Sequence, residues 1–546
     1  MNKNIALHIA AISSLIWVIF SSYFLTVKWG WDTNEVFPVP LVLAALITWP
    51  LLTLIIHTAL HIRTFSYSTL AIFSIYIALA IIIFTQIAPG CFPPDGLANF
   101  KSVTSGSWNA WNSIFQHPLL TIFMQIVPWN YNAPLLFLLL LWAIVLTFAH
   151  TILIRQNSHW VFHLLLFAIT LTPAFVVSIT NIVRDTYFTA LIIGLVLLVY
   201  HTFKFHQHDQ NRTIFVISFL GAFLILYRSD SAPLIGSIFV MLWITILQPS
   251  WISKKYPALQ PWFIVRSRAT NWKLLGFSIL PILFIFTYSQ IIPHSLLQKQ
   301  YKVKGNSWTN NSQDSYQLTL IENPLSYILL QPNAILRPEY LTAIEQVYQV
   351  SDLQKKYCAH NICLFWSNQW NKKSTLSERN QLVRASFGIF LDNPLLFIHS
   401  RLATLNTVGG PTRFVQCDLV AREKQGIPTL YKHAQILLIG QTLVDYYNSA
   451  LTESHMPTIY FTGKSVWYNV LVFMLISIPM LTWYRVEPIL SLLMLFLLLR
   501  TLIVIIMAPA GLLTYYLALY IGVLVLYVFW LAALVARTHT HPNHAK

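Results

Sequence analysis

The chain has 546 residues, of which 56% are hydrophobic and only 10% charged, and its mean hydropathy is +0.60. A soluble globular protein would carry roughly a quarter charged residues, so that class is excluded, together with disordered, collagen-like and coiled-coil chains. The formal charge of +16, from 34 Lys and Arg against 18 Asp and Glu, does not point to nucleic acid, because loops held on the cytoplasmic side of a membrane account for an excess of basic residues in so apolar a chain.

In chain order, apolar segments lie near residues 5–27, 41–62, 68–87, 132–153, 159–180, 187–203, 213–227, 232–248, 274–293, 467–484, 488–507 and 511–536. Most are long enough to cross a hydrocarbon layer of roughly 30 Å as helices. The expected fold is therefore an all-α polytopic membrane protein of about 12 spans, with a mainly helical domain inserted before the last three. The first segment follows Met1-Asn2-Lys3-Asn4 and stays apolar too long for a signal-peptide core, with no small-residue cleavage site before Lys28. It reads as a retained anchor.

With a cytoplasmic amino terminus, the cytoplasmic pieces hold Lys3, Arg63, Arg155, Lys204, Arg212, Lys254, Lys255, Arg266, Arg268, Lys273, Arg485, Arg537 and Lys546, against only Asp209 and Glu487. The short loops on the other side hold Lys28, Lys101, Arg184 and Arg228 against Asp32, Glu35, Asp95, Asp185 and Asp230. That asymmetry follows the positive-inside rule and puts both termini in the cytoplasm. Three regions result: residues 1–293, a transmembrane catalytic module with external loops 28–40 and 88–131; residues 294–466, an external, periplasmic domain; and residues 467–546, the last helices and a cytoplasmic tail. The expected location is the cell inner membrane, with the active site on its external face.

Cys91, Cys358, Cys363 and Cys417 all fall on the external side. An oxidising compartment suits them. Cys358 and Cys363 close a short ring in this reading, and Cys91 with Cys417 would pin a membrane loop to the domain; a zinc site is disfavoured, because only one close pair of ligands exists.

Polar chemistry collects on the same side. Trp29-Gly30-Trp31-Asp32-Thr33-Asn34-Glu35 sets two carboxylates three positions apart beside interfacial tryptophans. The loop 88–131 is too long for a turn and contains Asp95 and His117, the latter a candidate acid/base or phosphate ligand. Arg184-Asp185 and Arg228-Ser229-Asp230 repeat one theme at helix ends. Each Arg offers a planar fork for a phosphate and each Asp can hold that fork, while a plain interfacial ion pair accounts for each equally well. Arg500 interrupts an apolar span, where an ionisable group faces a cavity, a partner or an anionic ligand.

The sequence contains no P-loop, dinucleotide fingerprint, HExxH or G-x-S-x-G, and its His539, His541 and His544 tail reads as an ordinary polar tail. No pair of broken helices in inverted repeat stands out, which counts against a transporter.

The layout resembles the bacterial integral-membrane glycosyltransferases of the GT-C superfold. The likeness rests on Pro89-Gly90, Asp95, Ser105-Gly106, Trp108 and His117-Pro118-Leu119, then on Arg184-Asp185-Thr186-Tyr187-Phe188, Tyr227-Arg228-Ser229-Asp230, Asn323-Pro324-Leu325 and Asn393-Pro394-Leu395, over residues 30–410. It departs from the family pattern where eight residues separate Trp108 from His117 and where Ser229-Asp230 replaces Asn-rich sequence.

The resemblance implies transfer of a sugar from a polyprenyl-phosphate donor to a glycan or glycolipid acceptor, in contact with membrane lipid and without nucleic acid. It implies an acidic base in the first external loop, Asp32 or Glu35 here, and basic residues, Arg184, Arg228 and Arg500 here, on the departing phosphate. Asp32, Glu35, Asp95 and Asp185 offer enough hard oxygen for magnesium or manganese, and can equally act without a metal. A lipid-linked-oligosaccharide polymerase or ligase, and a transporter or flippase, are the alternative readings.

Reporter fusions test the topology. A fusion after residue 546 should be active only in the cytoplasm and one inserted within residues 294–466 only outside it; the opposite pattern would refute the assignment.

Overall fold

The computed structural model describes residues 8, 11–19, 67–87, 123, 126, 133–205, 210–247, nine positions between 272 and 287, 308–359, 363–367, 369–406, 458–459, 464–465, 469–508 and 513–540. Asp32, Glu35, Asp95, His117, Cys91 and Cys417 lie outside the described residues. So do most of the first two expected spans, the loop 28–40, and the loop 88–131 apart from residues 123 and 126.

The described chain is helical apart from a two-residue antiparallel pair, β1 (Thr458–Ile459) with β2 (Lys464–Ser465). Its first part runs through α1 (Tyr67–Ile87), α2 (Ala133–Arg155), α3 (Trp160–Ile169), α4 (Pro173–Thr180), α5 (Arg184–Phe205), α6 (Gln210–Tyr227) and α7 (Ala232–Leu247). A separate group of amphipathic helices follows: α8 (Trp308–Leu329), α9 (Pro338–Glu345), α10 (Val350–Lys355), α11 (Cys363–Trp366), α12 (Leu376–Asp392) and α13 (Pro394–Asn406). The chain then forms α14 (Val470–Ile476), α15 (Ile478–Thr482), α16 (Pro488–Met507) and α17 (Leu517–Thr540).

Among the described residues five helices are long and apolar enough to cross a membrane, namely α1, α2, α5, α16 and the span Thr514–Arg537, and shorter apolar helices accompany them. Two segments that read as single spans are interrupted. Between α3 and α4 the Thr170 and Thr172 hydroxyls donate back to the carbonyls of Phe167 (2.6 Å) and Ile169 (2.7 Å), and Pro173 starts the next helix. Ser477 divides α14 from α15 in the same way, donating to the Met474 carbonyl at 2.6 Å just before Pro479. At the first break the Thr172 hydroxyl takes up the Ile169 carbonyl that Pro173 leaves without its helical donor, which lets a helix break inside an apolar environment.

One core joins the long helices. Trp142, Phe188, Tyr200, Leu497, Phe529 and Trp530 are buried together in it. The crossing of α5, α16 and α17 needs a glycine, because a Cβ on Gly522 would stand 2.5 Å from Leu497 and 3.2 Å from Ile193. Close approach through a small residue is the usual way apolar helices gain dispersion contact where solvent drives nothing together.

The α8–α13 group has its own core of Leu318, Leu325, Ile328, Ile344, Leu353, Leu364, Leu382 and Ile389. A reciprocal cap starts α12: Thr375 Oγ1 accepts the Glu378 N–H (3.2 Å) and the Glu378 carboxylate accepts the Thr375 N–H (2.6 Å). Asn393 ends it, with its amide bonded to both the N–H (2.8 Å) and the carbonyl (2.9 Å) of Ile335, and Pro394 opens α13. The Asn-Pro step is thus a joint between helices. Cys358 and Cys363 are disulfide-bonded, as their spacing predicts, with Cα atoms 6.2 Å apart.

Glu322 of α8 reaches the end of that ring. Its carboxylate accepts the N–H groups of Leu364 and Phe365, both at 2.9 Å, and the Tyr348 hydroxyl at 3.3 Å. Burial pushes its carboxyl up to about 7, against the pull of those donors. The folded unit therefore keeps a proton that the unfolded chain has lost between the ordinary carboxylate value and pH 7, so stability is highest at the acidic end and falls as pH rises through that window, by about 3 kcal/mol at most. The thermal midpoint of this unit should drop between pH 5 and 7.5 in the wild type, and Glu322→Gln should flatten the slope; an unchanged slope would contradict the assignment.

Candidate functional site

The polar residues of the bundle divide between its two ends. At one end the Arg155 guanidinium hydrogen-bonds to His201 (2.8 Å) and Lys204 donates to Glu487 (2.7 Å), tying the ends of α2 and α5 to the start of α16. Nearby His150 lies between the Tyr76 hydroxyl and His163, at 2.8 Å from each. Arg184, Asp185, Arg228 and Asp230 gather at the opposite end, where α5 begins and α6 turns into α7. The pairing puts Lys204 and Glu487 at one end of the bundle and Arg184 and Arg228 at the other.

All five residues singled out at helix ends and in the apolar span converge there. Arg228 is bidentate to Asp230, Nε to Oδ1 at 2.7 Å and Nη2 to Oδ2 at 3.2 Å, while its Nη1 donates to Asp185. Arg500, only 1% exposed, donates from Nη2 to Asp230 Oδ2 at 2.6 Å, across 270 positions of sequence. Its Nη1 meets the Tyr515 carbonyl at 3.4 Å. The Phe188 ring lies under both guanidinium groups, at 5.4 Å from Arg228 and 4.9 Å from Arg500, and Tyr515 covers Arg228 at 5.1 Å. Arg184 stands at the edge: its Nε is 3.9 Å from Asp185 and its side chain is 29% exposed.

Burial by itself would raise the Asp230 carboxyl, but Arg228 and Arg500 outweigh it and hold the group well below the usual carboxylate range. Asp230 is therefore an anion that organises two cations, and a poor candidate for a base. Three guanidinium groups against two carboxylates leave the cluster with one positive charge in excess. Among the described residues the Nε–H of Arg500, the hydroxyl of Tyr227 and the side-chain oxygen of Asn181 are buried without a hydrogen-bond partner. Among the described residues no group of three or more His, Cys, Asp or Glu is arranged to hold a metal ion.

An apolar cavity of about 510 Å³ lies between α7 and α16; none of the charged residues lines it, and its nearest approach to them in sequence is Ala232. Ala232, Pro233, Gly236, Val240 and Met241 of α7 line one wall, Leu492 and Phe496 of α16 the other, and Phe203 of α5 the far end. Ala232 follows Asp230 by two residues, and Leu492, Phe496 and Arg500 are spaced by four, so they share one face of α16. Gly236 faces this open space, where an added Cβ would meet nothing within 4 Å. The sequence marked the charged residues but not Phe188, Tyr515 or this groove, since aromatic residues in apolar spans give no local signal of what they cover.

Compared with protein-family models, curated proteins and solved structures, the chain matches none.

Removing one member of the network strands the others. Asp230→Ala leaves two buried guanidinium groups short of a carboxylate and should cost about 3–5 kcal/mol, seen as lost thermal stability in detergent. Arg184→Ala, at the exposed edge, should cost less than about 1 kcal/mol. Equal stability of the two variants would contradict the described pairing.

Proposed function

We propose that this protein is a membrane glycosyltransferase that moves a sugar from a polyprenyl-phosphate donor to a glycan or glycolipid acceptor on the external face of the cell inner membrane. The observation that supports the reading is a surplus-positive arginine cluster at the same end of α7 and on the same face of α16 as an apolar groove, which starts two residues after Asp230. A donor of this class needs that pairing: cationic donors for its phosphate and a dry channel for its chain. The resemblance to GT-C enzymes contributes only the short motifs on which it rests.

In the reaction the acceptor hydroxyl attacks the anomeric carbon and gives up its proton to a base. The bond from that carbon to the phosphate oxygen breaks, and the prenyl phosphate departs with one more negative charge than it had in the donor. Guanidinium groups already fixed in place stabilise that charge without reorganising as it develops. Arg184, exposed and loosely paired, is the direct phosphate ligand in this account. Arg228 and Arg500 are already engaged with Asp185 and Asp230, so they supply field and shape. The base is Asp32 or Glu35, with Asp95 and His117 as the alternates; all four lie outside the described residues.

Transport is the second reading, and the interrupted spans at Thr170–Pro173 and at Ser477 favour it. Reconstituted protein separates the two. Transfer of label from a polyprenyl-phosphate sugar to an acceptor supports the enzyme, and movement of the intact donor between leaflets supports transport.

A polyprenyl phosphate bearing a photoreactive group on its chain should crosslink to residues 232–245 and 492–496. Arg184→Ala should weaken its binding at least tenfold. Crosslinks confined to the outer surface of the bundle would overturn the site. In the same preparation Asp32→Asn or Glu35→Gln should lower turnover roughly a hundredfold with donor binding retained; near-full activity in both would move the base to Asp95 or His117.

A further inference from the structure

Arg401 lies on α13, in the helical group outside the bundle, yet its side chain ends on the bundle. It is only 3% exposed. Its Nη1 donates to the carbonyls of Ala508 (3.0 Å) and Ile506 (3.4 Å) at the carboxy-terminal end of α16, and its Nη2 donates to Thr404 Oγ1 at 3.2 Å. Its Nε–H is buried without a partner, and among the described residues no carboxylate lies within salt-bridge distance of it. Burial pushes the guanidinium down to about 10, so it is still charged at neutral pH.

A buried cation that meets no carboxylate among the described residues is expensive, and the groups that receive this one explain its place. The last carbonyls of a helix lack intrahelical donors and carry the negative end of the macrodipole. Those carbonyls belong to the helix that carries Arg500, and Ile506 follows Arg500 by six residues. The chain then returns through a 3₁₀ turn, Leu513–Tyr516, whose Tyr515 carbonyl receives Arg500 and whose Tyr515 ring covers Arg228. Tyr516, buried at the end of that turn, lies within electrostatic range of both Arg401 and Arg500.

We propose that Arg401 is a positioning residue that couples the external helical group to the buried arginine–aspartate network, by holding the end of α16 and the adjoining turn in the register that brings Arg500 to Asp230. The coupling does not depend on which reaction the site performs. It makes the placement of the external group a determinant of the site's geometry, so that an acceptor or partner engaging that group would act on the network through α16.

Hydrogen exchange of the full-length protein in lipid nanodiscs tests this without any ligand. Arg401→Ala should raise exchange at least tenfold in residues 501–508 and 513–520. The increase should extend to residues 224–231, which belong to an element that Arg401 does not touch, while residues 318–329 and 382–390 keep wild-type protection. Arg401→Lys keeps a charged donor for one carbonyl and should give an intermediate increase of about threefold in 501–520; this variant decides the matter if Arg401→Ala does not accumulate. Wild-type exchange in 501–520 in Arg401→Lys and, where it accumulates, Arg401→Ala, or increases limited to 394–406, would overturn the coupling. So would loss of protection throughout 318–390, which would show that Arg401 only folds its own group.

Discussion

Two arginines buried at the end of an apolar bundle dictate how its helices meet. Burying Arg228 and Arg500 is offset by the carboxylates that receive them, and these sit on different elements: Asp185 in the first turn of α5 and Asp230 in the turn between α6 and α7. Satisfying both cations therefore fixes the start of α5, the α6–α7 junction and the outer third of α16 against one another. The apolar groove follows from that arrangement. Once Arg500 is drawn to Asp230, the face of α16 that carries Leu492 and Phe496 must lie beside α7, where Gly236 faces the open space between them.

The two ends of the bundle have different electrostatic character. At the Lys204–Glu487 end, one lysine pairs with one carboxylate, Arg155 hydrogen-bonds to His201, and histidines share hydrogen bonds. At the other end three guanidinium groups and two carboxylates merge into one network, and among the described residues Arg500 Nε, the Tyr227 hydroxyl and Asn181 Oδ1 have no hydrogen-bond partner, as Gln156 Oε1 has none at the first end. Unsatisfied buried groups are costly, and in a folded chain they cluster where something else completes the bonding. The anionic head group proposed above would accept from Arg500 Nε–H and the Tyr227 hydroxyl, whereas the Asn181 oxygen needs a donor.

The charge deficit and the apolar runs made the bundle legible in sequence, and Arg500 announced itself by being charged within one of them. Its partner did not. Nothing local says that α16 packs beside the α6–α7 turn, so the contact between positions 230 and 500 is a product of tertiary packing. Arg184-Asp185 and Arg228-Ser229-Asp230 read as two local pairs, whereas Arg228 also reaches across to Asp185 and merges them. Hydropathy averages over a few polar residues, and so it concealed the breaks at Thr170–Pro173 and Ser477. Arg401 was invisible for a related reason: within Pro394–Asn406 it looks like one more charge on an amphipathic helix, and only its contact with the Ala508 carbonyl reveals its role.

The central claim is that the arginine cluster and the groove form a single site for one lipid phosphate. A cryo-electron-microscopy map of the protein in nanodiscs with a polyprenyl phosphate addresses it most directly. The account predicts head-group density within hydrogen-bonding distance of Arg184, beside Arg228 and Arg500, and chain density running between α7 and α16 past Gly236. A phosphate bound away from these arginines, or a groove that is empty while the lipid lies elsewhere on the bundle, would contradict it.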